Sequence, residues 1–258
     1  MSGVHGTLYL LPALLADTPA DAVLPGATHA VARRIGYVLA ESARSARALL
    51  KAIGHPKPIA QIRIVEIGHT PDATRIDEWL APLLHEGIDA AIVSEAGCPG
   101  VADPGASLVA RAHVLGISVH PLVGPSSILL ALMASGLDGQ RFRFVGYLPR
   151  EAAALAQQLR ELERDSRRGE TQIFIETPYR NERLLAAILA TCRPSTRLSV
   201  AVDLTGAAER VATHTVAEWS RRDADRLALG RHPAVFSLLA AGDATPQPGG
   251  RAKVSGRQ

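Results

Sequence analysis

The chain has 258 residues, 47% hydrophobic and 21% charged, which is typical of a folded globular protein and excludes a largely disordered one. Its 28 Lys and Arg against 25 Asp and Glu give a net charge of +3, which by itself does not indicate a nucleic-acid-binding protein. Two distant cysteines, Cys98 and Cys192, exclude a disulfide framework and a zinc ribbon. The cysteines suit a reducing compartment, and neither a membrane span nor a signal peptide is indicated, so we expect a cytoplasmic protein.

Patterns typical of strands and helices alternate through the first half of the chain. An apolar run over 6–12 predicts a first strand that Pro12 ends. The further predicted elements are a helix followed by a short strand within 27–39, helices over 41–50, 75–86 and 106–115, and strands over 89–94 and 118–122. Such alternation indicates a parallel sheet with crossover helices. We therefore predict an N-terminal α/β domain over residues 1–122.

A second α/β unit follows a connection over 123–141 that contains an apolar helix. Its predicted strands span 142–148, 171–176, 198–204, 211–215 and 233–241, and its helices span 152–164 and 181–190. The 211–215 strand is expected to pair with a neighbour as a β-ribbon. This gives a C-terminal α/β domain over 142–242. The Pro-, Gly- and Arg-rich segment 243–258 cannot build a core and is predicted to be a disordered tail.

The segment with the strongest functional signal is the loop 94–105, SEAGCPGVADPG, which follows a predicted strand. Open α/β sheets bind ligands at the carboxyl ends of their strands, and glycines let the backbone approach a ligand closely. Glu95 and Asp103 supply hydrogen-bond acceptors for hydroxyl or amino groups. On composition alone, an ordinary turn between strand and helix explains the loop equally well.

Two other strand ends carry polar residues. In Gly124-Pro125-Ser126-Ser127, free N–H groups and hydroxyls at a helix N-terminus could hold a carboxylate or phosphate, although a plain N-cap is the favoured interpretation. In the segment 176–180, Glu176 and Arg180 predict either a ligand site or a structural ion pair.

Sequence motifs of several enzyme classes are absent. No Walker loop, GxSxG, HExxH or GxGxxG is present, which argues against NTPases, serine hydrolases, zinc proteases and Rossmann dinucleotide enzymes. The nine histidines show no metal-ligand spacing, so no metal site is predicted. His69, in a loop, is interpreted as a surface residue, and Cys98 as a small packed residue rather than a nucleophile.

Six segments resemble family motifs, in the order in which that family has them. They are GTLYLLP at 6–12, AESARSARALL at 40–50, SEAGCPGVADPG at 94–105, VGPSSILLALMASGL at 123–137, RFRFVGYLPR at 141–150 and FIETPYR at 174–180. They are similar to segments of the tetrapyrrole-methylase superfamily, and most similar to the bacterial branch that methylates a cytidine ribose 2′-hydroxyl of small-subunit ribosomal RNA.

The resemblance implies two α/β domains of tetrapyrrole-methylase type, usually in a homodimer, with S-adenosylmethionine bound in a cleft between the domains. Most contacts to the cofactor would come from the backbone, because a sulfonium methyl donor is already activated and needs mainly alignment. The implied cofactor-binding residues are Glu95, Ala96, Gly97, Cys98, Ser126, Ser127, Glu176, Thr177, Pro233 and Ala234.

Departures from the family pattern concern loops expected to face the cleft. The branch's AEDTR is AESAR here, which keeps Glu41 and Arg44, and the Asp of its SDAG is Glu95. Candidate catalytic residues are Glu41, Arg44 and Glu95, with Glu176 a further candidate base for a ribose hydroxyl. Arg44 and Arg180 are expected to contact phosphate. The expected partner is ribosomal RNA or the small ribosomal subunit. Alternatives are a methylase of a tetrapyrrole-like small molecule and a protein that binds the cofactor without transferring the methyl group.

Overall fold

The structure, a computed structural model, describes residues 5–221 and 229–241, and within these it contains two five-stranded sheets. The first sheet is parallel throughout, in the order β3-β2-β4-β1-β5. Its strands are β1 (Thr7–Leu10), β2 (Tyr37–Ala40), β3 (Arg63–Glu66), β4 (Ala90–Val93) and β5 (Ser118–Pro121). Every residue of β2 and β4 is buried, as expected for central strands covered on both faces.

Helices cover both faces of this first sheet. They are α1 (Ala20–Val23), α2 (Gly26–Ala32), α3 (Ala43–Ala52), α4 (Ile76–His85) and α5 (Ala106–Val114). Alternate strand residues point to opposite faces, so Tyr9 packs in the cluster that includes α3, whereas Leu8 packs against α4 and α5. Gly87 and Gly116, both with positive φ, follow α4 and α5, at positions where glycine ends a helix without strain.

The second sheet is mixed, in the order β6-β7-β10-β8-β9. Its strands are β6 (Phe142–Tyr147), β7 (Thr171–Glu176), β8 (Arg197–Val202), β9 (Arg210–Thr215) and β10 (Ala234–Leu239). Only β6 and β7 pair in parallel; the pairings of β10 with β7 and β8, and of β8 with β9, are antiparallel. The predicted pairing of the 211–215 strand with a neighbour is therefore confirmed.

Four helices accompany the second sheet. They are α6 (Ser127–Ser135), α7 (Ala152–Ser166), α8 (Asn181–Thr191) and α9 (Val216–Arg221). The last three bury Leu159, Ile188 and Trp219 in one core. On the opposite face, α6 places Ile128 and Leu132 against the sheet. The helix within the predicted connection thus packs on the second sheet.

The fold class of two α/β units is confirmed, and the elements depart from prediction in three places. The strand β3 and the short helices α1 and α9 were not predicted. The strand was missed because it lies at an edge, where Arg63 and Glu66 are exposed at its ends and leave no apolar run. The predicted disordered tail, 243–258, lies outside the described residues. Among the described helices, none combines the length and apolar character needed to cross a bilayer.

Candidate functional site

A cleft of about 270 Å³ lies where the carboxyl edge of the first sheet meets α6 and the second sheet. Both halves of the chain line it. The N-terminal half contributes Leu15, Ala96, Gly97, Cys98, Val101, Ala102 and Asp103; α6 contributes Ser126, Ser127 and Ile128; the second half contributes Tyr147, Ile175, Glu176, Thr177, Pro178, Ala201, Leu204, Pro233, Ala234 and Val235. Most of these side chains are small or apolar, so the backbone is close to the surface of the cleft.

The N-terminal wall is the loop 94–105 after β4. Gly97 forms a two-way backbone bridge with Ala13, with N–O distances of 2.8 and 3.2 Å, and this bridge fixes the loop against the segment after β1. Gly97 has φ of +69°, and a Cβ there would lie 3.3 Å from Leu15 Cδ2. Glycine is therefore favoured both by the positive φ and by the short distance to the Leu15 side chain.

The beginning of α6 forms the floor of the cleft. The Ser126 hydroxyl accepts a hydrogen bond from the backbone N–H of Leu129 at 3.4 Å, so the predicted N-cap is present. The thiol of Cys98 donates to the carbonyl of Pro125 at 3.5 Å, and burial raises the pKa of that thiol. Cys98 is thus a packed residue that links the N-terminal wall to the floor, and a thiolate nucleophile is disfavoured.

The C-terminal wall holds a carboxylate that is already neutralised. Glu176, only 6% exposed, pairs with Arg180 at 2.7 Å and accepts the backbone N–H of Thr177 at 2.7 Å. Ala234 in β10 lies directly opposite it in the sheet. The structural ion pair predicted between Glu176 and Arg180 is present, and both oxygens of Glu176 are engaged within the wall.

A cluster of four ionisable residues lies beside the N-terminal wall. Glu41 accepts the backbone N–H of Glu95 at 3.0 Å through one oxygen, and contacts His69 Nδ1 at 2.9 Å through the other. That contact raises the pKa of His69, although its side chain is 76% exposed. The fourth member, Asp103, feels the charges of the other three. Glu41, His69 and the loop that carries Glu95 and Asp103 follow three adjacent strands, β2, β3 and β4, which brings them together at one edge of the sheet.

Asp103 is the member of this cluster that lines the cleft. Burial and the nearby negative charge of Glu41 raise its pKa from 3.8 to about 6, and a hydrogen bond with Ser94 and the charge of His69 oppose the shift only partly. A carboxyl group with this pKa exchanges its proton near neutral pH, which is a property of general acids and bases. Tyr147 stands on the opposite wall, where burial also raises its phenol pKa.

The structure brings nine of the ten predicted cofactor-binding residues to the cleft. The tenth, Glu95, is exposed beside it and contacts Glu41 through its backbone. None of the predicted catalytic residues Glu41, Arg44 and Glu95 lines the cleft, and Arg44 is exposed on α3. The nine predicted cofactor-binding residues that line the cleft are Ala96, Gly97, Cys98, Ser126, Ser127, Glu176, Thr177, Pro233 and Ala234.

Other features of the site were missed from the sequence. His69 is exposed, as predicted, but its contact with Glu41 was not foreseen, because β3, the strand before it, was not predicted. The cleft residues Leu15 and Leu204 are single apolar residues without a motif signal, and Tyr147, although it lies in the motif at 141–150, was not singled out. Asp103 was noted only as an acceptor; its position before Pro104-Gly105, in a loop at a strand end, was the available signal.

Comparisons with known proteins identify the family. A family model described as Tetrapyrrole (Corrin/Porphyrin) Methylases matches residues 20–219. The chain belongs to this family. Several relatives of this tetrapyrrole methylase are named Ribosomal RNA small subunit methyltransferase I, which confirms the resemblance found in the sequence.

Three such relatives show the extent of the similarity. The protein of Xylella fastidiosa is 36% identical over 194 residues, 75% of this chain and 67% of its own. That of Pseudomonas aeruginosa is 30% identical over 224 residues, 86% of this chain and 75% of its own. That of Micromonospora olivasterospora is 36% identical over 185 residues, 72% of this chain, and the match spans only 55% of the relative's length.

A solved structure shares the fold. The crystal structure of uroporphyrin-III-C-methyltransferase from Thermus thermophilus superposes with a TM-score of 0.52 and covers 91% of this chain and 92% of its own. The sequence identity is 19%, so this similarity supports the architecture of the tetrapyrrole methylase and not its substrate.

Proposed function

We propose that this tetrapyrrole methylase transfers a methyl group from S-adenosylmethionine to a ribose 2′-hydroxyl of small-subunit ribosomal RNA. The observation that supports this most directly is the cleft between the two sheets, whose lining includes nine residues that the sequence motifs nominate for cofactor binding. We also propose that the protein acts in the cytoplasm as a homodimer. Leu129 and Met133, apolar neighbours on α6 that are 50% and 79% exposed, are consistent with a further chain packing there.

The residues of the cleft fit this cofactor. Apolar side chains such as Ile175 and Val235 suit a nucleoside base, and the first turn of α6 presents free N–H groups that suit a carboxylate. Gly97 keeps its wall open, since a Cβ there would meet Leu15. When bound, the cofactor supplies an activated methyl group on a sulfonium. The protein itself aligns that group, excludes water and handles the proton of the acceptor.

We propose Asp103 as the proton acceptor for the ribose hydroxyl. A 2′-hydroxyl is a weak nucleophile, and a positioned base accelerates its attack. Of the two carboxylates that line the cleft, Glu176 is committed to Arg180 and to the backbone of Thr177, whereas Asp103 has a pKa of about 6. Asp103 is therefore largely ionised at neutral pH and still able to take up a proton.

Within the cluster, Glu41 has a positioning role. It holds the backbone of Glu95, at the start of the loop that carries Asp103, and its negative charge contributes to the raised pKa of Asp103. His69, bonded to Glu41, partly offsets that charge. We thus assign proton transfer to Asp103, while Glu41 and His69 set the position and pKa of that carboxylate.

The decisive experiment is methyl transfer from radiolabelled S-adenosylmethionine to small ribosomal subunits from a bacterial strain that lacks its own enzyme of this kind. The proposal predicts label in the small-subunit RNA, on a ribose resistant to alkaline cleavage. Large subunits serve as the control and should remain unlabelled. Label on a base, or no transfer to either subunit, would contradict the proposed acceptor.

A further inference from the structure

Positive charge is unevenly distributed along the chain. Residues 33–63 contain seven Lys and Arg and one acidic residue, Glu41, a net charge of +6. The remainder has 21 basic residues (28 − 7) and 24 acidic residues (25 − 1), a net charge of −3. The small overall charge of +3 thus conceals one strongly basic segment within an otherwise slightly acidic protein.

Three of these cations form a stripe along the exposed face of α3. Arg44, Arg47 and Lys51 are spaced i, i+3 and i+7, which places them on one side of a helix over about 10 Å of its axis. All three are exposed, whereas Ala46 and Leu49 on the other side are buried against the first sheet. We refer to Arg44, Arg47 and Lys51 as the α3 stripe.

The cations of the α3 stripe have no acidic partner among the described residues. Several arginines elsewhere in the described residues form ion pairs with carboxylates. Arg75 pairs with Glu78, Arg111 with Asp77, and Arg164 with Asp165. Two other basic residues of the segment 33–63 have partners, since Arg34 contacts Tyr9 and Asp89, and Arg63 stacks over Tyr37. An unneutralised row of cations is suited to an external anion.

The α3 stripe begins beside the proposed site. Ser42 caps α3, and Glu41, the residue before it, bonds to the backbone of Glu95 and to His69. In a parallel sheet the helix after a strand starts at the carboxyl edge and runs back along the sheet. Arg44 therefore lies at the end of α3 nearest the cleft, and Lys51 at the far end.

We infer that the α3 stripe binds the phosphate backbone of the RNA and guides it toward the cleft. This inference rests on the proposed function and specifies which surface holds the substrate. Flexible cations spaced along one helix neutralise successive phosphates without reading bases. The target nucleotide would then be selected at the cleft, and the α3 stripe would supply affinity that depends on salt.

The test compares two triple variants that lose the same charge. R44A/R47A/K51A removes the α3 stripe, and R160A/R164A/R168A removes three exposed arginines from the second half of α7 and the residues just after it, far from α3 in sequence. Binding of a fluorescently labelled single-stranded oligoribonucleotide is measured by anisotropy at several salt concentrations. Calorimetry with S-adenosylhomocysteine checks that each variant keeps its fold and cleft.

The inference predicts that R44A/R47A/K51A binds the RNA at least roughly 10-fold more weakly at low salt and that its log–log salt slope is smaller by about 2, the value for three phosphates on a single strand. The α7 variant should keep the wild-type slope. Equal slopes for the α3 variant and the wild type, or equal losses in both variants, would overturn the inference.

The two proposals fail in different ways. If RNA binding depends on the α3 stripe but no methyl group reaches the small-subunit RNA, the proposed function is wrong and the binding surface stands. If methyl transfer occurs and the α3 variant binds RNA like the wild type, the surface is wrong and the function stands. If the wild type does not bind RNA at all, the inference is overturned.

Discussion

The two walls of the cleft differ in the state of their charges. Beside the N-terminal wall, Glu41, His69 and Asp103 come from three adjacent strand ends, and Asp103 alone of these places its carboxyl group, with a pKa of about 6, at the surface of the cleft. On the C-terminal wall, Glu176 is buried and fully engaged with Arg180 and Thr177. Two carboxylates in one cleft thus have different roles. The first is suited to chemistry, and the second holds the wall together.

The difference follows from sheet topology. The first sheet is parallel, so its strands end together at one edge and the loops there gather polar residues around a shared space. The second sheet is mostly antiparallel. The ends of β7 and β10 that line the cleft are paired with each other, with Ala234 directly opposite Glu176. The parallel half therefore supplies reactive groups, while the mixed half supplies a rigid neutral surface.

The largest expected effect comes from Asp103→Asn. If Asp103 accepts the hydroxyl proton, this change should lower kcat by roughly 10²- to 10⁴-fold and leave the affinity for S-adenosylmethionine unchanged. In the wild type, kcat should rise with pH through about 6, as Asp103 ionises. Steady-state methyl transfer between pH 5 and 8 measures both. Asp165→Asn, an exposed carboxylate on α7, is the control. A variant with near-normal kcat would remove Asp103 from the chemistry.

A smaller effect, on folding, is expected from Glu176→Gln. The substitution leaves Arg180, whose side chain is 24% exposed, without its buried partner. Removing one member of a fully buried pair costs about 3–5 kcal/mol, and partial exposure of Arg180 reduces the expected loss to about 2 kcal/mol. Urea unfolding measures this. Glu78→Gln, which breaks the exposed pair with Arg75, should have little effect on the free energy of unfolding. Equal losses of unfolding free energy in the two variants would mean that the ion pair of Glu176 with Arg180 does not stabilise the C-terminal wall.

Gly97→Ala tests how closely the backbone of the N-terminal wall approaches the bound cofactor. A Cβ at φ of +69° costs about 1 kcal/mol or more wherever it occurs, and here it also meets Leu15 at 3.3 Å. We expect the affinity for S-adenosylmethionine to fall roughly 10-fold. Gly116→Ala is a matched control, because its φ is +72° and nothing lies within 4 Å of its Cβ. Calorimetric titration of both variants should show a binding defect only at Gly97; similar affinities would contradict the backbone contact.

The smallest effect is a gain in stability from Asp103→Asn. The folded-state pKa of Asp103, about 6, is above its ordinary value of 3.8, so the folded protein binds the proton more tightly and ionisation at neutral pH opposes folding. This cost is absent below about pH 4 and grows as pH rises through 6. The amide avoids it, so the variant should be more stable at pH 7 by about 1 kcal/mol, after allowance for partial exposure. Urea unfolding at pH 7 and pH 4 should show the gain only at pH 7, and a loss at pH 7 would contradict the pKa shift.

Much of the fold could be predicted from sequence because glycines, prolines and apolar periodicity mark most element ends. Loop 94–105 and the start of α6 were identified by composition and resemblance, and both reach the cleft. The cluster at Glu41 could not be predicted, because its members come from neighbouring strands whose order in the sheet is set by long-range packing. Missing the edge strand β3 separated His69 from that cluster. The pairing of the second sheet likewise depends on β10, which inserts between β7 and β8 from the far end of the chain.

The measurement that tests the account most directly is calorimetric binding of S-adenosylmethionine and S-adenosylhomocysteine to the purified protein. We expect saturable binding of both molecules at one site per chain, weakened by Gly97→Ala and unaffected by Asp103→Asn. No binding of either molecule would contradict the central claim that the cleft between the two sheets is the site of a methyl donor.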